Sequence, residues 1–79
     1  MMEITLNAAC LCRKETAHTY LRQMLGLPDY YGGNLDALYD CLTECDGLKI
    51  IVENCEEAGD YTFKIIEVMR DADVEVELR

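Results

Sequence analysis

The chain has 79 residues, 51% of them apolar, and carries a formal net charge of −9 from 16 acids and 7 bases. That length allows one domain, spanning residues 1–79, with a single sheet and a few helices, and such a chain buries only about 60% of its unfolded surface. The apolar fraction suffices to fold. The acidity disfavours nucleic acid and anionic membrane surfaces as partners and attracts a basic protein, although it also serves plain solubility.

The charge is unevenly spread. Through Pro28 there are two acids and three bases, a balance of +1; the remainder holds fourteen acids and four bases, a balance of −10. Five cysteines are an odd number, the opening Met1-Met2-Glu3 has no secretory character, and no stretch is long and apolar enough to span a bilayer. A cytoplasmic protein with reduced thiols is expected.

Along residues 2–6, Met2, Ile4 and Leu6 alternate with Glu3 and Thr5, the period of a strand covered on one face. Residues 7–12 form a connection. Cys10 and Cys12 are weak candidates for a metal or redox pair, since no second ligand pair follows. From about Arg13, the apolar positions Ala17, Tyr20, Leu21, Met24 and Leu25 predict an amphipathic helix, stopped at Gly26 with Pro28 just beyond. His18 falls off that stripe, with no carboxylate or cysteine obviously placed to orient it.

Pro28 holds Leu27 out of the helical region, Gly32 and Gly33 permit a sharp turn, and Asn34 is a good N-cap for a helix starting at Leu35. At 100° per residue, Leu35, Leu38, Cys41, Leu42 and Cys45 fall on one side and Asp36, Tyr39, Asp40, Thr43 and Glu44 on the other. Asp36 sits in the first turn, where the helix dipole favours a carboxylate; Asp40, a turn later, gains little from it.

Asp46 and Gly47 mark a turn into a second strand, residues 48–53, whose run Ile50-Ile51-Val52 is apolar on both faces and therefore central. Residues 54–60 predict a loop or a single turn. Asp60 is expected to cap a helix running to about Ala72, with Tyr61, Ile65, Val68, Met69 and Ala72 as its core stripe and Lys64, Glu67 and Asp71 opposite. In a last strand, residues 74–78, Val74, Val76 and Leu78 face inward and Glu75 and Glu77 outward. Three strands joined by right-handed helical crossovers predict a two-layer α/β fold: a three-stranded parallel sheet, order 1-2-3, with helices on one face and the other face relatively open.

The stretch LPDYYGGNLDALYDCLT (residues 27–43) resembles the barstar family of small intracellular ribonuclease inhibitors. The likeness runs without gaps from about Leu6 to Thr43 and resumes more weakly in the C-terminal helix and strand. It implies a barstar-like fold and inhibition of a barnase-type, secreted or toxin-type ribonuclease, whose basic active site an acidic loop-and-helix surface would plug. Asp40 would enter the phosphate-binding centre, Asp36 and Tyr30 would be neighbouring anchors, and Gly32, Asn34, Leu35 and Tyr39 would shape the contact. Thr43, Glu44 and Asp71 complete the expected partner-binding set. Tyr39 and Cys45 stand where the family example has tryptophans, and Asp71 where a glutamate would contact the enzyme. No cofactor or metal is expected, and the free protein should be a monomer.

Catalysis is disfavoured: Asp36 and Asp40 lie one turn apart on a convex helix with nothing to enclose a substrate, and Cys41 and Cys45 are expected to face the core. The alternative is an acidic adaptor for a basic partner that is not a nuclease. Dispersed charge would then carry binding, and Asp40→Ala would leave it largely intact.

Overall fold

The computed structural model describes residues 2–28, 31–45 and 47–79. Strands β1 (Met2–Asn7), β2 (Leu48–Glu53) and β3 (Glu75–Leu78) form one parallel sheet in the order β1-β2-β3. Helix α1 (Lys14–Leu25) and helix α2 (Leu35–Thr43) lie between the first two strands, and α3 (Asp60–Asp71) joins β2 to β3. Short 3-10 turns at Ala8–Leu11 and Cys55–Glu57 follow β1 and β2; the second is the single turn expected before α3.

Parallel register aligns Ile4, Ile50 and Val76 across the sheet, with Leu6, Val52 and Leu78 two residues on. Leu6, Ile50 and Val52 are fully buried, together with Ala17 and Leu21 of α1, Leu38 and Leu42 of α2, and Ile65 and Met69 of α3. Burying each large aliphatic side chain contributes about 1.5–3 kcal/mol, so helix-to-sheet packing carries the fold. Met2 and Leu78 share the core face by register, yet they are 59% and 43% exposed at the ends of the two edge strands, while their central-strand partners Leu48 and Val52 are buried.

The opposite face is charged. Thr5, Ile51 and Glu77 line up there, flanked by the row Glu3, Lys49 and Glu75. Glu77 pairs with Lys49 at 3.6 Å and with Arg79, and these partners hold its carboxyl below the usual carboxylate range, the Arg79 hydrogen bond first. Ile51 is only 3% exposed, because Thr5 and Glu77 flank it in register on either side. The open face is thus closed over at its apolar centre.

Five helical expectations are corrected. His18 is buried rather than set apart from the core, whereas Met24 is 42% exposed at the last turn of α1. The α3 core includes Thr62 and Ile66, while Tyr61, Val68 and Ala72 are only half-buried against it. The residue capping α3 is Gly59, not Asp60: the Gly59 N–H donates to Thr62 Oγ1 at 3.1 Å, and Asp60 becomes a first-turn acid that still favours the dipole. Cys45 is exposed, since α2 ends at Thr43 and the chain turns away before the helical angle would bring Cys45 inward.

Among the described residues, no helix is long and apolar enough to cross a membrane.

Candidate functional site

The site is built from the loop after α1 and the outer face of α2. Gly26 ends α1 in the left-handed region, φ +63°, which favours glycine, and its N–H bonds the Arg22 carbonyl. A turn follows, Tyr31 N–H donating to the Pro28 carbonyl at 3.0 Å. Gly33 supplies a second positive φ, +68°, that swings the chain into α2. Asn34 then caps the helix as expected: its backbone is extended and its Oδ1 accepts from the Ala37 N–H at 2.8 Å. Gly32 has no such constraint, and an added Cβ would meet Asn34 and Ala37 at ordinary contact distance.

Leu38, Cys41 and Leu42 turn inward and are buried, and Leu35 packs half-buried against the core. The outward face carries Asp36, Tyr39, Asp40 and Thr43, all exposed, with Glu44 as the exposed C-cap. Among the described residues, Asp36 and Asp40 make no ion pair; both salt bridges of the described side chains lie on the sheet's charged face. The Thr43 hydroxyl donates to the Asp40 carbonyl at 2.8 Å, which fixes its rotamer and leaves its lone pairs outward. Burial pushes the Cys41 thiol up, assisted by Glu44, Cys45 and Asp40, as befits an inert core thiol.

Asp71, at the end of α3, is exposed and joins Tyr39 and Thr43 around a shallow depression of about 350 Å³ that Cys45 also lines. Two elements far apart in sequence therefore meet at one edge of the acidic face. Tyr30 lies outside the described residues.

Behind the loop is an arrangement the sequence did not disclose. His18 of α1 shares one hydrogen bond through Nδ1 with the Tyr31 hydroxyl and another, of 2.6 Å, through Nε2 with the Tyr61 hydroxyl of α3. The partners of His18 are tyrosines 13 and 43 residues away. The one available signal was the tyrosine pair in the glycine loop. Burial first, and Lys14 second, pull the His18 pKa below 6.5. Burial raises both phenols, Tyr31 above the usual phenol range.

Cys12, meanwhile, is engaged structurally, its thiol donating to the Glu57 carbonyl at 3.0 Å. Among the described residues, no group of three or more His, Cys, Asp or Glu side chains is placed to hold a metal ion.

The fold is a small α/β domain that presents an acidic helix face after a loop with two glycines at positive φ. A family model described as Barstar (barnase inhibitor) matches residues 1–79, and the chain belongs to the barstar family. The Bacillus subtilis (strain 168) protein named "Putative ribonuclease inhibitor YrdF" is 39% identical over an alignment covering 96% of this chain and 90% of that protein. The family is one of inhibitors, and the chain is not an enzyme.

Proposed function

We propose that the protein is a ribonuclease inhibitor that blocks a barnase-type enzyme, secreted or toxin-type, by seating the outer face of α2 in its basic active site. The observation that carries this reading is the pair Asp36 and Asp40, exposed on one helix face and without an ion pair among the described residues. A carboxylate with no partner in the free protein gains most when it meets a fixed cation, because no internal bond has to be broken first. Family membership supports the ribonuclease as the class of partner.

The roles divide by position. By the family resemblance Asp40 is the carboxylate for the phosphate-binding centre, with Asp36 and Tyr30 as neighbouring anchors; its place mid-helix, away from the dipole's positive end, is consistent with that role. Tyr39 supplies aromatic area at low entropy cost. Gly32, Asn34 and Leu35 shape the backbone surface, and Thr43, Glu44 and Asp71 form the rim. The protein would act as a monomer in the cytoplasm. Fast, salt-sensitive association is the known behaviour of the barnase and barstar pair, which is the reference system for this physics, and is carried over by family membership.

The test is a titration of a barnase-type ribonuclease with the purified protein at two salt concentrations, with Asp40→Ala in parallel. Stoichiometric inhibition that Asp40→Ala weakens severely is the expected result. Equal inhibition by both proteins would sink Asp40 as the plug and point to dispersed charge, and no inhibition by either would favour an adaptor for a basic partner that is not a nuclease.

A further inference from the structure

We infer that His18 is a positioning residue for the recognition loop: clamped between the Tyr31 and Tyr61 hydroxyls, it holds the loop in its binding shape, and protonating it releases that hold.

The geometry joins three elements. His18 comes from α1, Tyr61 from α3, and Tyr31 from the loop one residue before Gly32 and three before the cap of α2. The imidazole lies 5.7 Å from the Tyr31 ring and 5.6 Å from the Tyr61 ring, the latter edge-on, so packing as well as hydrogen bonding fixes it. His18 is 5% exposed and does not itself offer a contact surface. It opens instead on a small hollow of about 210 Å³ shared with Thr19, Arg22, Tyr31, Gly32 and Gly33. Gly33 sits at a positive φ, +68°, and as a glycine can also take other backbone conformations, so a tie from outside the loop helps to select one loop shape.

A neutral imidazole has one donor and one acceptor nitrogen, which suits two hydroxyls arranged as a directed chain, one giving to the ring and the other receiving from it. Protonation makes both nitrogens donors. The hydroxyl that had been giving must then turn its hydrogen away inside a buried site, and the chain loses its direction. The surroundings oppose that proton: Lys14 on α1 is like-charged, Arg22 of α1 lines the same hollow, and among the described residues the loop, α2 and α3 face the cluster with Tyr31, Cys41 and Tyr61, none of them a carboxylate; Glu15 lies toward Tyr61. The clamp is therefore set at neutral pH and opens on acidification. Its bearing on partner affinity rests on the ribonuclease reading above; its bearing on loop order does not.

The experiment has two arms, on the wild type, His18→Gln and Tyr61→Phe. Glutamine carries both a donor and an acceptor but does not titrate, and Tyr61→Phe breaks the chain at the end remote from the loop. In the free protein, hydrogen-exchange protection of the Tyr31 and Ala37 amides, which donate to the Pro28 carbonyl and to Asn34 Oδ1, should be lost as His18 titrates in the wild type, stay flat in His18→Gln, and be low at every pH in Tyr61→Phe. In the second arm, the ratio of wild-type to His18→Gln affinity for a barnase-type ribonuclease, which cancels the enzyme's own titrations, should fall by up to about tenfold per pH unit below the His18 pKa. Protection that is the same in all three proteins across the titration would overturn the inference. Protection behaving as expected with no ribonuclease bound at any pH would uphold the clamp and dismiss the ribonuclease reading.

Discussion

The Asn34 side chain accepts a 2.8 Å hydrogen bond from the Ala37 N–H, and this single contact starts the helix that carries Asp36 and Asp40. Removing it in Asn34→Ala leaves a first-turn donor unsatisfied and should cost about 1 kcal/mol of stability. Urea unfolding checks this; Asn34→Asp, which keeps the acceptor, should stay within a few tenths of a kcal/mol of the wild type. An unchanged midpoint for the alanine variant would show that the cap is not needed.

Thr62 is fully buried, and its hydroxyl accepts from the Gly59 N–H at 3.1 Å while lying 3.4 Å from the Ala8 carbonyl to which it donates. Thr62→Val preserves shape but leaves the part-buried Gly59 N–H without its acceptor and takes one of two donors from the Ala8 carbonyl, which keeps the Cys12 thiol, so it should destabilise by about 1–3 kcal/mol. Thr62→Ser, which keeps the hydroxyl, should unfold later in denaturant than Thr62→Val. The reverse order would mean that the methyl group matters more than the hydrogen bonds.

Asp40 and Glu44 should separate in binding. Asp40→Ala is expected to weaken ribonuclease inhibition at least about 30-fold, mostly through faster dissociation, in line with the barnase and barstar pair that sets this scale. Glu44→Gln, at the rim, should slow association by less than about tenfold, and its effect should vanish at high salt, where the screening length shrinks to about 3 Å at 1 M. Stopped-flow association at two ionic strengths distinguishes the two; matching losses would point to dispersed charge.

Stability should depend on pH through His18. Its folded pKa is lowered from 6.5, so the unfolded chain takes up the proton more readily than the folded one. The contribution is complete above pH 6.5 and is lost as pH falls through 6.5 toward the folded value. Denaturant midpoints taken every half unit from pH 7.5 to 5 should decline in the wild type and decline less in His18→Gln. Parallel curves would exclude the imidazole as the source.

Cys45 is exposed and Cys41 is 7% exposed with its thiol pushed up by burial. Iodoacetamide near neutral pH should alkylate Cys45 well before Cys41, which should react only on unfolding. Peptide mapping of the partly modified protein reads the order directly. Early labelling of Cys41 would show that α2 opens locally.

Local chemistry made most of the architecture legible. Alternation in β1 and β3, the doubly apolar run of β2 and the 3.6-residue stripes of the helices predicted the elements, and right-handed connection then left one strand order, the one observed. The outer face of α2 followed from helical angle alone, because Leu38 and Leu42 can point only one way once they are buried.

The errors share a cause: periodicity assigns a side to each residue but not the extent of what covers that side. Met2 and Leu78 lie on the two edge strands, Met24 lies in the last turn of its helix, Cys45 lies beyond the last turn of its helix, and Ile51 is sheltered by strand neighbours rather than by a helix. Neither the meeting of Asp71 with Tyr39 nor the bridging of Tyr31 and Tyr61 by His18 has a sequence signature, since each joins residues 13 to 43 positions apart. Composition and spacing act along the chain and set which surface is acidic; the packing of α1 and α3 against one sheet acts across it, and that packing alone brings two tyrosines to the same imidazole.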